Sequence, residues 1–271
     1  MASFKTLSVT TACMMLAACG GADTPTNEQA PAENMAQGAN VAQANLADGK
    51  AVTFTEGESE FRVSWPGTAA QIAPLDALLR GDAESLRQQT QDGMRAEQAA
   101  ANEAGYPFRG YSYLEDWSVV ADVPALLILQ SEGYTFTGGA HGMPIVKALH
   151  WDKAGGKVLE VGDMFDVSAL GAAVSERFCE ALDAQRAEKR GAPVNAGNSG
   201  ALADFDRCVD PTKQTIVPSS RGGGALDTIH FVIMPYEAGP YSEGIYDVEV
   251  PVDHAVLATV KPDWKSAFTA G

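Results

Sequence analysis

The chain has 271 residues, with 35 acidic against 19 basic side chains and a formal net charge of −16. An acidic excess of this size disfavours nucleic-acid binding, because no basic stripe can overcome the field. It favours a cationic partner, although exported proteins also carry acid for solubility alone.

The first residues read as an export signal: one early cation, Lys5, the apolar run Leu7 to Ala18, and then Leu16-Ala17-Ala18-Cys19-Gly20, a lipobox. An apolar run of about a dozen residues is too short for a hydrocarbon core of about 30 Å. Residues 1–18 are therefore expected to be removed and Cys19 to carry a diacylglycerol anchor. Gly20, with no aspartate after the cysteine, is compatible with sorting to an outer membrane. Residues 19–50 are mostly Ala, Asn, Gln, Pro, Thr, Gly and Glu, too poor in large apolar groups to offset their ordering entropy, and they read as a tether. The remainder, about 220 residues from near Ala51, is long enough for one large domain or two small ones on the periplasmic side of the envelope. Of four cysteines, Cys13 leaves with the signal and Cys19 takes the lipid, so Cys179 and Cys208 remain to form one disulfide in an oxidising compartment. No further Cys or His stands near that pair to make a zinc site.

Ala51–Trp65 alternates through Val52, Phe54, Phe61, Val63 and Trp65, as two strand segments or one bulged strand would, and Pro66-Gly67 ends it. Pro74 opens a helical pattern with Leu75, Leu78 and Leu79 that reaches about Ala104, with a break or kink expected at Gly81. Tyr111–Val120, Ala125–Thr137 and Met143–Asp152 are aromatic and β-branched and read as an antiparallel meander, followed by a tight turn and a short strand, Val158–Val161. Leu170, Val174, Phe178 and Leu182 recur at helical spacing up to Gly191, and place Cys179 close to the apolar stripe, which predicts a buried bridge. Two loops, Gly191–Gly200 and Ser219–Gly224, frame the next segment, then strands at Leu226–Met234 and Ile245–Val250 and a short terminal helix. The class is α+β: antiparallel sheets with packed helices.

His141 sits in Gly138-Gly139-Ala140-His141-Gly142. Glycines on both sides allow a tight turn and close approach of another segment, and the turn reading outweighs ligand recognition or catalysis. The four histidines, 141, 150, 230 and 254, never fall at HxxxH or HxH spacing, so no metal is assigned. Gly197-Asn198-Ser199-Gly200-Ala201 lacks the second glycine of a nucleophile elbow, and Gly222-Gly223-Gly224 lacks the ending of a P-loop. Between the last two strands, Pro235-Tyr236-Glu237 and Tyr241 put amphipathic rings in a connection broken by Pro and Gly, which suits either the end of a core or a recognition surface.

Gly138–Gly142, with Ala148–Asp152, Gly156-Lys157-Val158-Leu159 and Asp163-Met164-Phe165, resembles the start of the RsiV/PdaC-like domain of unknown function, and Pro235-Tyr236-Glu237, Tyr241 and Gly244 resemble its closing signature. The likeness runs from about Ala51 to Thr259 in two parts and implies subdomains at 51–142 and 143–271. One branch of that family is a membrane-spanning anti-sigma factor that binds lysozyme, and another is a peptidoglycan N-deacetylase with a separate catalytic domain. This sequence carries neither the sigma-binding segment nor the deacetylase domain. The resemblance thus implies a non-enzymatic envelope module for a lysozyme-type hydrolase or peptidoglycan, without a cofactor, with His141, Tyr236 and Tyr241 as binding candidates. The alternative is a cell-wall or carbohydrate-active enzyme pairing His141 with a carboxylate such as Glu237.

Overall fold

The computed structural model describes residues 48–194 and 202–271. The expected signal, Cys19, most of the tether and the Gly197–Ala201 loop lie outside the described residues. Among those described, no helix is long and apolar enough to cross a membrane.

Alternation at the start of the folded part produces a hairpin, β1 (Lys50–Glu56) and β2 (Ser59–Trp65), so the two-strand reading of Ala51–Trp65 holds. After one helical turn, α1 (Gly67–Ala70), comes the long helix α2 (Ala73–Ala104). It is unbroken at Gly81. Leu75, Leu79 and Ala83 are buried on one face while Gly81 is exposed, and an exposed helical glycine costs only about 1 kcal/mol. The helix is a crossover: β3 (Ser112–Asp122) returns parallel to β2, with Val63 opposite Glu115. Then β4 (Leu126–Phe136), β5 (Met143–Asp152) and β6 (Lys157–Leu159) follow antiparallel, giving six strands in the order of the chain. The meander is as expected, and the parallel β2–β3 pair is an addition to it. The 142/143 division falls in the connection between β4 and β5, which pair along their whole length from Leu126–Asp152 to Thr135–Met143.

A single turn, α3 (Val161–Met164), leads to α4 (Val167–Arg190), capped by the Asp166 carboxylate and ended at Gly191 in the left-handed conformation. A second sheet follows: β7 (Thr215–Ser219), β8 (Thr228–Ile233) and β9 (Tyr246–Pro251), antiparallel in that order, then α5 (His254–Thr259).

Period-two alternation assigns the cores. Leu127 and Leu129 join Phe61, Val63, Trp65, Leu149 and Trp151 beneath α2. Leu126 and Ile128, on the opposite face of the same strand, join a second core built from α4 and the three-stranded sheet. Within it Phe178 of α4 meets Phe231 of β8 edge to face, 5.4 Å between centroids. The sheets are also joined by a polar contact: buried His150 of β5 places Nε2 2.9 Å from the Ile216 carbonyl of β7.

The disulfide Cys179–Cys208 is present, with Cα atoms 5.5 Å apart, and ties α4 to the segment before β7. It lies at the surface instead of in the core, because Cys179 sits at the margin of the Leu170–Leu182 stripe and Cys208 is exposed.

Candidate functional site

The end of β4 and the start of β5 are joined through Gly138 and Gly139, both with positive φ, into His141. Arg109 fixes this connection: its guanidinium donates to the Gly139 carbonyl at 2.9 Å and lies 5.7 Å over the Phe136 ring. Gly142 is the tightest point. Its amide donates to the Tyr134 hydroxyl at 3.0 Å, and a Cβ there would overlap the Tyr134 phenol and the Thr135 carbonyl. Packing of Tyr134 across the turn is therefore what orients the adjacent histidine.

His141 is brought to the loop between β8 and β9. Its ring stacks on Tyr241 with centroids 4.0 Å apart, and Tyr236 lies 6.5 Å from it and 6.0 Å from Tyr241. Nδ1 is 3.0 Å from the Gly142 carbonyl, which can only accept, so Nδ1 donates and Nε2 of the neutral ring accepts from the Tyr236 hydroxyl at 3.3 Å. All three candidates from the sequence thus share one surface. Tyr236 is half exposed, at 50%, and has φ of +74°, unique among the non-glycine residues described. A bulky side chain in that region is strained, and such strain persists only where the surroundings over-determine it. Burial, with Tyr134 and Tyr236 nearby, holds the Tyr241 hydroxyl above the usual phenol range.

The restraint comes from α4. Arg186, fully buried, donates from Nε to the Ala238 carbonyl at 2.9 Å, from Nη2 to the Arg207 carbonyl at 3.0 Å and from Nη1 to Asp183 at 2.8 Å. One turn later Arg190 grips Glu243 through Nε at 2.8 Å and Asp206 through Nη1 at 2.6 Å. The Glu243 hydrogen bonds in turn hold the Arg190 guanidinium above its ordinary pKa. Burial alone would raise Glu243, but Arg190 and the Tyr246 hydroxyl together hold it below the usual carboxylate range. Lys189 donates to the Glu243 and Ile245 carbonyls at 2.7 and 2.6 Å. The sequence reading missed these cations, although Leu170, Val174, Phe178, Leu182, Arg186 and Arg190 follow at a constant spacing of four on one helix. That continuation of an apolar stripe into arginine was the available signal.

Glu237 is exposed, and no hydrogen bond joins it to His141; its amide donates to the Met234 carbonyl at 3.2 Å. Among the described residues no three His, Cys, Asp or Glu side chains converge to hold a metal ion. The surface offers flat rings, one imidazole and backbone acceptors, an inventory suited to binding.

Residues 54–144 match the family model described as "Deacetylase PdaC". The match includes Gly138–Gly142 and His141 and stops before the later motifs of the resemblance, leaving Tyr236 and Tyr241 outside it. No curated protein matches the chain. Among solved structures the chain is similar to a DUF3298 family member from Bacteroides fragilis, with 14% identity over 81% of this chain and 96% of that one and a TM-score of 0.48. It is also similar to a DUF3298 family protein from Pseudomonas aeruginosa, with 19% identity over 82% of this chain and 97% of that one and a TM-score of 0.44.

Proposed function

We propose that this chain is a lipid-anchored recognition module on the periplasmic side of the cell envelope, tethered by Cys19 to the outer membrane, and that the His141–Tyr236–Tyr241 surface acts by binding rather than by chemistry. Its partner is a lysozyme-type hydrolase, with peptidoglycan as the competing ligand. The observation that carries this reading is Tyr236: a half-exposed aromatic ring in a strained backbone conformation, on a loop that buried Arg186 and its neighbour Arg190 hold at Ala238 and Glu243. Rigid, pre-positioned aromatics are the residues that dominate interface energies. A charge of −16 complements a basic enzyme, but such attraction mainly raises the association rate and weakens with salt, so specificity falls to the rings.

Titration of the full chain against lysozyme at two ionic strengths, with muramidase activity followed in parallel and insoluble peptidoglycan as a second arm, tests the proposal. Binding that persists at physiological salt, inhibits the enzyme and falls about thirtyfold in Tyr236→Ala supports it. Sedimentation with peptidoglycan but no effect on lysozyme moves the reading to glycan binding, and retention by neither ends it. For the anchor, Cys19→Ala is expected to abolish partition into membranes, and a mature chain whose intact mass carries no lipid would remove that part.

A further inference from the structure

The three-stranded sheet carries a second group of side chains that recognition at Tyr236 does not use. Ser219 ends β7, His230 is central in β8 and Asp247 lies in β9. The pairing sets Val217 opposite His230 and Val232 opposite Asp247, so the three residues occupy diagonal positions on one face of adjacent strands. His230 Nδ1 is 3.0 and 3.1 Å from the two Asp247 carboxylate oxygens, and Nε2 is 3.1 Å from Ser219 Oγ. The carboxylate can only accept, so Nδ1 donates to it and Nε2 of the neutral ring accepts from the serine hydroxyl.

We propose that Ser219, His230 and Asp247 form a catalytic site for acyl transfer from small carboxylic esters to water. Each geometric requirement of a nucleophile–base–orienter set is met within hydrogen-bond reach: serine to imidazole, and imidazole to a carboxylate that fixes its tautomer. Ser219 Oγ attacks the ester carbonyl carbon as its proton passes to His230 Nε2. The bond to the leaving oxygen breaks, that oxygen takes the proton from Nε2, and the acyl group remains on Oγ. Water then attacks the acyl carbon with His230 again accepting the proton, which returns to Oγ as the carboxylic acid leaves. Asp247 keeps its charge throughout and stabilises the transient imidazolium, with Glu249 a second carboxylate 4.0 Å from Nδ1.

Two further features bear on substrate. Ser219 is only 8% exposed, which restricts the proposed substrates to small esters. The chain continues directly from Ser219 into the exposed Ser220–Gly224 loop, where Gly223 donates to the Ser220 hydroxyl at 2.8 Å, while the amides of Gly222 and Gly224 make no hydrogen bond among the described residues. In the proposed reaction the amides of this loop are candidates for the donors that developing oxyanion charge requires.

The test uses the full chain with a fluorophosphonate probe and with p-nitrophenyl acetate. The probe should attach once, with peptide mapping placing it on Ser219, and Ser219→Ala should remove it whereas Ser220→Ala should not. His230→Gln should slow labelling and acetate release by about a hundredfold or more, and Asp247→Asn by a smaller factor. The parent rate should rise with pH through a single ionisation lying above 6.5, because Asp247 raises the imidazole pKa and a base must be deprotonated. Label on another serine, no label, or parent-like labelling in His230→Gln with an unchanged melting temperature overturns the proposal. These outcomes are read without lysozyme or peptidoglycan present, so they stand or fall separately from recognition at the His141–Tyr236–Tyr241 surface.

Discussion

Arg186 reaches the Ala238 carbonyl at 2.9 Å from a guanidinium with no exposed surface, and so fastens the middle of the Tyr236–Tyr241 loop to the second-last turn of α4. The same side chain holds the Arg207 carbonyl, next to the disulfide half Cys208. One buried cation thus serves two loops. Arg186→Met would retain the packing volume but leave the Arg207 carbonyl without this donor and the Ala238 carbonyl with only the longer bond from Arg190 Nη2, 3.4 Å. An orphaned buried acceptor costs about 1–3 kcal/mol, partly offset here by removing a buried charge, so a loss of about 2 kcal/mol is expected in denaturant unfolding. Hydrogen exchange should rise across residues 236–243 before it rises in β8.

Tyr236 allows strain to be separated from function. Tyr236→Gly and Tyr236→Ala both delete the ring and its hydrogen bond to His141, but only glycine adopts φ of +74° without penalty. The glycine variant should be more stable than the alanine variant by about 1 kcal/mol, while both lose ligand to the same degree. Equal melting temperatures for the two would mean that the backbone there is relaxed.

Gly142→Ala attacks the other half of the surface. The new Cβ would overlap Tyr134 and the Thr135 carbonyl, and forced repacking of this kind costs about 1–3 kcal/mol. Chemical-shift changes should centre on His141 and Tyr134, with the three-stranded sheet unchanged.

The disulfide spans 29 residues, and a closed loop of that length contributes about 3–4 kcal/mol by restricting the unfolded chain. Reduction should lower the unfolding midpoint accordingly. Because Cys208 is exposed, a reductant should reach the bridge without global unfolding.

Two histidines should give stability opposite slopes with pH. Burial depresses the pKa of His150 despite its carbonyl partners, so the unfolded chain binds that proton more readily and stability falls as pH drops below about 6.5. His230 is raised by Asp247, so its contribution is complete below about 6.5 and is lost as pH climbs through the folded value. His230→Gln should remove the upper loss and leave the lower one, measured as unfolding free energy between about pH 5 and 8.

Much of the fold was legible from alternation and caps: the strands of the meander, α4 with its stop at Gly191, and the last two strands lie within two residues of their expected positions. β7 was missed because Pro218 argues against a central strand; it is tolerated here because β7 is an edge. Periodicity reveals which face a strand buries and not which strand it pairs with, so the parallel β2–β3 pair was invisible. The same limit hid the sites. His141 and Tyr236 are 95 residues apart, and Ser219, His230 and Asp247 meet across three strands. Each was a readable residue, but their meeting is a property of topology.

Leu126 to Leu129 of β4 have no outside: successive residues enter opposite cores, and all four are fully buried. Neither layer can melt while the other stays intact, since disorder in one uncovers the back of the strand that supports the other. The folded part should therefore behave as a single cooperative unit in calorimetry, with the enthalpy from the transition width equal to the integrated heat. The same feature governs dissection. A fragment ending at Gly142 would keep β4 but lose its partner β5, leaving a long apolar strand with unpaired amides as a template for self-association. Expression of either half alone should give aggregates, and mixing the halves during refolding should rescue solubility.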